Sequence, residues 1–322
     1  MTHLRFKGSG PIPSYRPPAG RYSGRPDLIH PAEYEAGPDL VNAVNVALTL
    51  GRPLLLTGEP GTGKTQLARR LSHELELGEP LRFDARSSSV AADLFYQFDS
   101  VRHFAESQLA AARGLPSPDP SEFVRYRALG TAIRNSLAIP PRRSVVLIDE
   151  IDKAPRDFPN DLLAAVEELR FDVPELQAGE LVANPAHAPI IVITSNSEKQ
   201  LPEAFLRRCV YHHIEMPSDE AEARAWIERI LERRLQAVHA GSGNAYGEAL
   251  KVFLDLRRNG RIEKKPSTSE LLDWMQALAS RIDWNGPLPL EDARACIGTL
   301  AKTSGDLALA LGLLSKVAPS AG

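Results

Sequence analysis

Leu54-Leu55-Leu56-Thr57-Gly58-Glu59-Pro60-Gly61-Thr62-Gly63-Lys64-Thr65 is an apolar run that breaks into a glycine-rich turn and ends in Lys-Thr. From Gly58 to Thr65 it satisfies the pattern G-x-x-x-x-G-K-[ST] in full. The apolar run predicts a buried strand, and Leu67, Leu71 and Leu75 at helical spacing predict a helix over 65–77. Strand, glycine loop and helix form the context that this pattern requires. The glycines let backbone N–H groups turn inward around a phosphate, and the helix N-terminus adds its partial positive charge. Gly58, Glu59, Pro60, Gly61, Thr62, Gly63, Lys64 and Thr65 are therefore candidate nucleotide-binding residues. Lys64 would reach the β and γ oxygens, and the Thr65 hydroxyl would ligate Mg²⁺.

Outward from this loop, the chain divides by composition. Residues 1–36 are rich in proline and arginine with little apolar periodicity, which predicts an extended N-terminal arm. From Pro38, Leu40, Val41, Val44, Ala47 and Leu48 mark one face of a helix, with Gly51 where a C-terminal cap belongs. Leu81-Arg82-Phe83-Asp84 predicts a second strand. Between Arg86 and Gln108 the runs Leu94–Phe98 and Val101–Phe104 predict a hairpin, or a helix carrying an inserted hairpin, and Ser121–Leu137 predicts a helix. Ser144-Val145-Val146-Leu147-Ile148 is wholly apolar and ends in Asp149-Glu150, as a central strand covered on both faces should. A helix through Phe158, Leu162, Leu163, Val166 and Leu169 follows, then an excursion over 170–184 with a turn near Gly179. Ile190-Ile191-Val192-Ile193 forms a further buried strand that stops at Thr194-Ser195-Asn196.

Strands alternating with helices over 37–216 predict an α/β core of three layers, αβα, holding the nucleotide. Beyond Pro217 the pattern is helical throughout, so 217–322 is expected to be an all-helical second domain. Ile227, Leu231, Leu235 and Val238 line its first helix, behind a Ser218 cap.

With 322 residues the chain is long enough for two domains or for one large domain with an appendage, and 43% hydrophobic and 25% charged residues are ordinary for a globular protein. A net charge of −3 argues against a protein that coats nucleic acid. No apolar run has membrane-spanning length and the N-terminus lacks a signal-peptide core, so a cytoplasmic location is expected. Cys209 and Cys296 are far apart with no Cys/His cluster, which predicts reduced thiols and no transition metal. His212 and His213 are adjacent in a predicted strand and should point to opposite faces.

Asp149 follows Lys64 by about 85 residues, the layout of a phosphate loop paired with a Walker B strand. Asp149 would hold the Mg²⁺ shell, and Glu150 would orient and deprotonate the attacking water. Asn196 would stand beside Glu150 if their strands are neighbours, with its amide on the same water or the γ-phosphate.

The order of these motifs resembles the AAA+ ATPases over about residues 37–317. The resemblance rests on Gly-Glu-Pro-Gly-Thr-Gly-Lys-Thr, Val-Val-Leu-Ile-Asp-Glu-Ile-Asp-Lys, Thr-Ser-Asn and Leu-Pro-Glu-Ala-Phe-Leu-Arg-Arg-Cys. Within the superfamily it is similar to the MoxR-type branch, because Asp93–Asp99 resembles that branch's insert after the second strand. The resemblance implies the helical segment is a lid, and that ATP is held between subunits of a ring, usually a hexamer. It implies that Arg208 is the finger that reaches the neighbour's γ-phosphate, with Arg207 able to share the role. The lid segment Lys265-Pro266-Ser267-Thr268-Ser269-Glu270-Leu271 lacks the usual sensor 2 arginine. Ser267 or Thr268 is expected to cap a helix there, leaving Lys265 or Arg261 to supply a charge.

Three functions compete at this stage. The first is ATP hydrolysis coupled to remodelling of a client or adaptor protein, which by resemblance carries a von Willebrand A domain. The second is a nucleic-acid motor or loader, suggested by the basic cluster Arg257–Lys265, which lacks interleaved aromatics. The third is a nucleotide-dependent switch with little turnover, against which the positioned Glu150 argues.

Overall fold

The computed structural model of this chain describes residue 7 and residues 31–177, 179–196, 201–234 and 244–317. Most of the arm expected over 1–36 lies outside the described residues, as do Leu235 and Val238. The described residues fall into two units: residue 7, Ala36–Gly58 and Lys64–Ile214 in one, and residues 31–35, Glu59–Gly63 and the described residues beyond 214 in the other.

In the first unit, helix α1 (Pro38–Leu50) ends at Gly51, which takes a left-handed φ of 62° while its N–H donates to the Ala47 carbonyl. The chain then enters β1 (Leu54–Gly58), all of it buried. Helix α2 (Lys64–Glu74) and strand β2 (Leu81–Asp84) follow. Strands β5 (Val145–Asp149), β8 (Ile190–Thr194) and β9 (Val210–Ile214) complete a parallel sheet of order β2-β5-β8-β1-β9. Both β1 and β5 are buried along their whole length because helices cover the sheet on both faces. Leu55, Val146, Ile148, Ile191 and Ile193 alternate onto one face and pack with Leu129 and Ile133 of α4 (Ala128–Leu137) and Leu162 and Val166 of α5 (Phe158–Glu168). Helix α2 packs against β1, β5 and β8, and α1 against β1 and β9. Each aliphatic side chain so buried contributes about 1.5–3 kcal/mol of transfer free energy.

Two expectations are corrected here. The run Val101–Phe104 is not a strand: it lies in helix α3 (Ser100–Ala112), which Asp99 caps by accepting from the Arg102 N–H at 3.0 Å. The antiparallel partner of β3 (Tyr96–Phe98) is instead β4 (Val124–Tyr126), inside the stretch expected to be one helix over 121–137. The cap at Asp99 decided the first point, since it offers the early N–H groups of α3 a carboxylate acceptor. Two-stranded pairing of β6 (Arg170–Phe171) with β7 (Leu181–Val182) accounts for the excursion over 170–184.

Helices make up the regular structure of the second unit: α7 (Glu220–Arg234), α8 (Asn244–Arg258), α9 (Thr268–Ala279), α10 (Leu290–Cys296) and α11 (Ser304–Val317). Ile227, Phe253, Trp274, Met275, Leu300 and Leu314 share its core. The cap of α7 is Asp219 rather than Ser218, with its carboxylate accepting from the N–H groups of Ala221 and Glu222. Ser267 caps α9 as expected, in a reciprocal arrangement with Glu270. Asp306, fully buried, accepts from the N–H groups of Glu263 at 2.8 Å and Lys264 at 3.1 Å and so ties the loop before α9 to α11. Among the described residues no helix is long and apolar enough to cross a membrane.

Candidate active site

Three strands deliver the chemistry to one edge of the sheet. Strands β5 and β8 are hydrogen-bonded neighbours, and β8 in turn pairs with β1, which runs into the phosphate loop. The C-terminal ends of β1, β5 and β8 therefore lie side by side, where ligands of open parallel sheets collect.

Lys64 opens α2 and is nearly buried, at 7% exposure, with its ammonium donating to the Gly58 carbonyl at 2.7 Å. Thr65 Oγ1 lies 3.1 and 3.2 Å from the two carboxylate oxygens of Asp149. Thr194 Oγ1, at the end of β8, donates to Asp149 Oδ1 at 2.5 Å and accepts from the Glu150 N–H at 2.9 Å. Asp149 is 4% exposed, and beside these hydroxyls it meets Arg82, whose Nη2 is 2.8 Å from Oδ2. A hydroxyl and a carboxylate converging at about 3 Å are hard oxygen donors of the kind Mg²⁺ takes alongside waters and phosphate oxygens, and the pair fits that cation.

Glu150 leaves the strand in a left-handed conformation, φ 55° and ψ 50°. That geometry costs a non-glycine residue about 1–2 kcal/mol, and such strain clusters at functional positions. Its carboxylate is bonded by Lys153 one turn later, and that hydrogen bond raises the Lys153 pKa above its ordinary value. Asn196 Nδ2 stands 3.5 Å from Glu150 Oε1, at the outer limit of a hydrogen bond, so the two side chains do share one place. The Asn196 N–H and Ser195 Oγ both reach Asp152 Oδ1 at 3.1 Å, which fixes the turn after β8.

Glu59–Gly63 belong to the second unit. Gly61 and Gly63 have φ of 78° and 91°, values open to glycine but costly for other residues. A Cβ on Gly63 would also stand 2.9 Å from the Tyr34 ring, and one on Gly61 2.7 Å from Ser267. The Thr62 hydroxyl donates to the Glu59 carbonyl at 2.9 Å. Within the same unit Arg257 Nη2 is 2.7 Å from Glu59 Oε2.

Arg208 follows the short helix α6 (Glu203–Leu206), and its Nε lies 2.6 Å from Glu167 Oε1 on α5. Arg207 pairs with Glu203. Neither arginine is among the residues around Asp149. His213 Nδ1 is 2.8 Å from Thr57 Oγ1, across β9 and β1, and takes no part in the Asp149 cluster. Among the described residues no group of three or more His, Cys, Asp or Glu side chains could hold a metal.

Sequence reasoning missed Thr194, Arg82, Asp152, Lys153 and Glu167. Thr194 had a signal, as the polar residue that ends a wholly apolar strand. The other four are ordinary charged residues whose significance depends on which strand or helix lies beside them.

Residues 53–209 match the family described as AAA domain (dynein-related subfamily). No curated protein matches the chain. Among solved structures, the FIGL-1 AAA domain in complex with ADP is 18% identical, with 83% of this chain and 79% of that chain covered and a TM-score of 0.40. The parallel sheet with its flanking helices, followed by a helical C-terminal region, is consistent with that similarity over residues 53–209.

Proposed function

We propose that this chain is a Mg²⁺-dependent ATPase of the MoxR type that works as a ring, a hexamer by resemblance, and remodels or activates a partner protein. The observation that carries the reading is the convergence of Thr65 and Thr194 on Asp149, with Glu150 one residue past Asp149 and Asn196 two residues past Thr194. In this reading 37–216 is the ATP-binding core, 217–322 the lid, and 1–36 an arm.

Gly58–Thr65 wrap the phosphates with backbone N–H groups, and the Lys64 ammonium moves from the Gly58 carbonyl to the β and γ oxygens. Thr65 and Asp149 hold Mg²⁺, which when bound neutralises charge on those oxygens. Glu150 accepts a proton from the attacking water, and Asn196 holds that water in line. Arg208 reaches the γ-phosphate of the neighbouring subunit, so each site is completed by another copy of the chain. Arg257 and Arg258 are engaged by Glu59 and Glu220, which supports a protein client over nucleic acid. A partner with a von Willebrand A domain is the adaptor that the branch implies.

The test is ATPase rate against subunit concentration, with Lys64→Ala, Glu150→Gln and Arg208→Ala assayed beside the parent. Activity per subunit should rise with concentration, Lys64→Ala should lose nucleotide binding, and Glu150→Gln should bind but turn over about 10²–10⁴-fold slower. Full activity in a stable monomer would sink the ring.

A further inference from the structure

Asp84 and Asp149 stand opposite each other in the register of β2 and β5, which places two carboxylates side by side where these strands end. One guanidinium serves both. Arg82 Nε is 2.7 Å from Asp84 Oδ1, and Nη2 is 2.8 Å from Asp149 Oδ2. Arg82 and Asp84 lie on the same face of β2, two residues apart, and are about half exposed, whereas the Asp149 side chain is 5% exposed.

Oδ2 of Asp149 is thus shared by Arg82 and the Thr65 hydroxyl. A guanidinium does not lose its proton, so this oxygen always meets a positive charge unless Arg82 moves away. A divalent cation taken up by Thr65 and Asp149 must compete with that charge. Asp84 gives the displaced arginine a second anchor without a change of strand position, because Nε already holds it.

We infer that Arg82 is a resident cation that competes with Mg²⁺ for Asp149, and that Asp84 sets the strength of this competition by drawing the guanidinium aside. Arg82 is a positioning residue here: it acts on the metal through Asp149. The inference rests on the reading that Thr65 and Asp149 hold Mg²⁺.

The experiment titrates Mg²⁺ into the full chain with a fluorescent ADP analogue and reads the Mg²⁺ midpoint of nucleotide binding. The same nucleotide serves every variant, so its own affinity for free Mg²⁺ cancels. Arg82→Gln should lower the midpoint about 3–10-fold, and Asp84→Asn should raise it by a similar factor, as expected for a nearby charge of partly exposed groups. Arg82→Lys should fall between the parent and Arg82→Gln. In the double variant the Asp84→Asn effect should vanish to within about 2-fold, because Asp84 acts through Arg82. A midpoint unchanged or raised in Arg82→Gln, or an Asp84→Asn effect that persists in full without Arg82, overturns this inference alone. A parent chain whose nucleotide affinity ignores Mg²⁺ overturns the metal assignment of Thr65 and Asp149, and the inference with it.

Discussion

Arg208 is held by Glu167 of its own chain, with Nε 2.6 Å from Oε1 and Nη1 donating to the Ala204 carbonyl at 3.2 Å. Both side chains are about half exposed, so the pair is worth little, about 0–1 kcal/mol. A guanidinium so held is oriented yet free to leave. Arg208→Ala should lower steady-state hydrolysis about 10³-fold while nucleotide affinity stays within about 3-fold, measured by turnover and equilibrium binding. Glu167→Gln should change turnover less than 10-fold and leave the melting temperature in place. A loss equal to that of Arg208→Ala would assign Glu167 a role beyond orientation.

Thr194 joins the two acids of the site through one buried hydroxyl. Thr194→Val keeps the volume and removes that hydroxyl, leaving the Glu150 N–H and an oxygen of Asp149 without this partner. The expected cost is about 1–3 kcal/mol in denaturant unfolding. Thr194→Ser should recover most of it. Equal stability of the valine variant would show that water replaces the hydroxyl.

Gly130 sits in α4 where a Cβ would meet the Phe95 carbonyl oxygen at 1.9 Å, and backbone cannot swing aside as a side chain can. Gly130→Ala gains helix propensity yet should destabilise the first unit by about 2–4 kcal/mol, since the contact moves β3 away from α4. Thermal unfolding with the reference Gly260→Ala, where a Cβ meets nothing within 4 Å, provides the comparison.

Burial pushes the Cys209 thiol up to about 12. At pH 8 it is protonated and should react with a thiol reagent about 100-fold slower than a free cysteine, then at the free rate once denaturant is added. Its contribution to stability is full below the ordinary thiol range near 8.5 and is lost as the pH rises toward about 12, a slope that Cys209→Ala should flatten.

Local sequence determined the phosphate loop, the apolar strands and the residues that end them, because a buried strand, a glycine turn and a helix start each have a signature within a few residues. Thus Lys64, Thr65, Asp149, Glu150 and Asn196 were legible as candidates before any contact was known, and β5 and β8 proved adjacent as the Asn196 reading required. The strand-like run Val101–Phe104 misled, since its pattern suits either element and a cap at Asp99 decided for helix. Only tertiary structure decided which groups meet Asp149. Thr194 and Arg82 lie 45 and 67 residues away in sequence, and strand order alone brings them within 3 Å. Pairing between distant segments follows from the packing of the whole sheet, and no window of the chain records it.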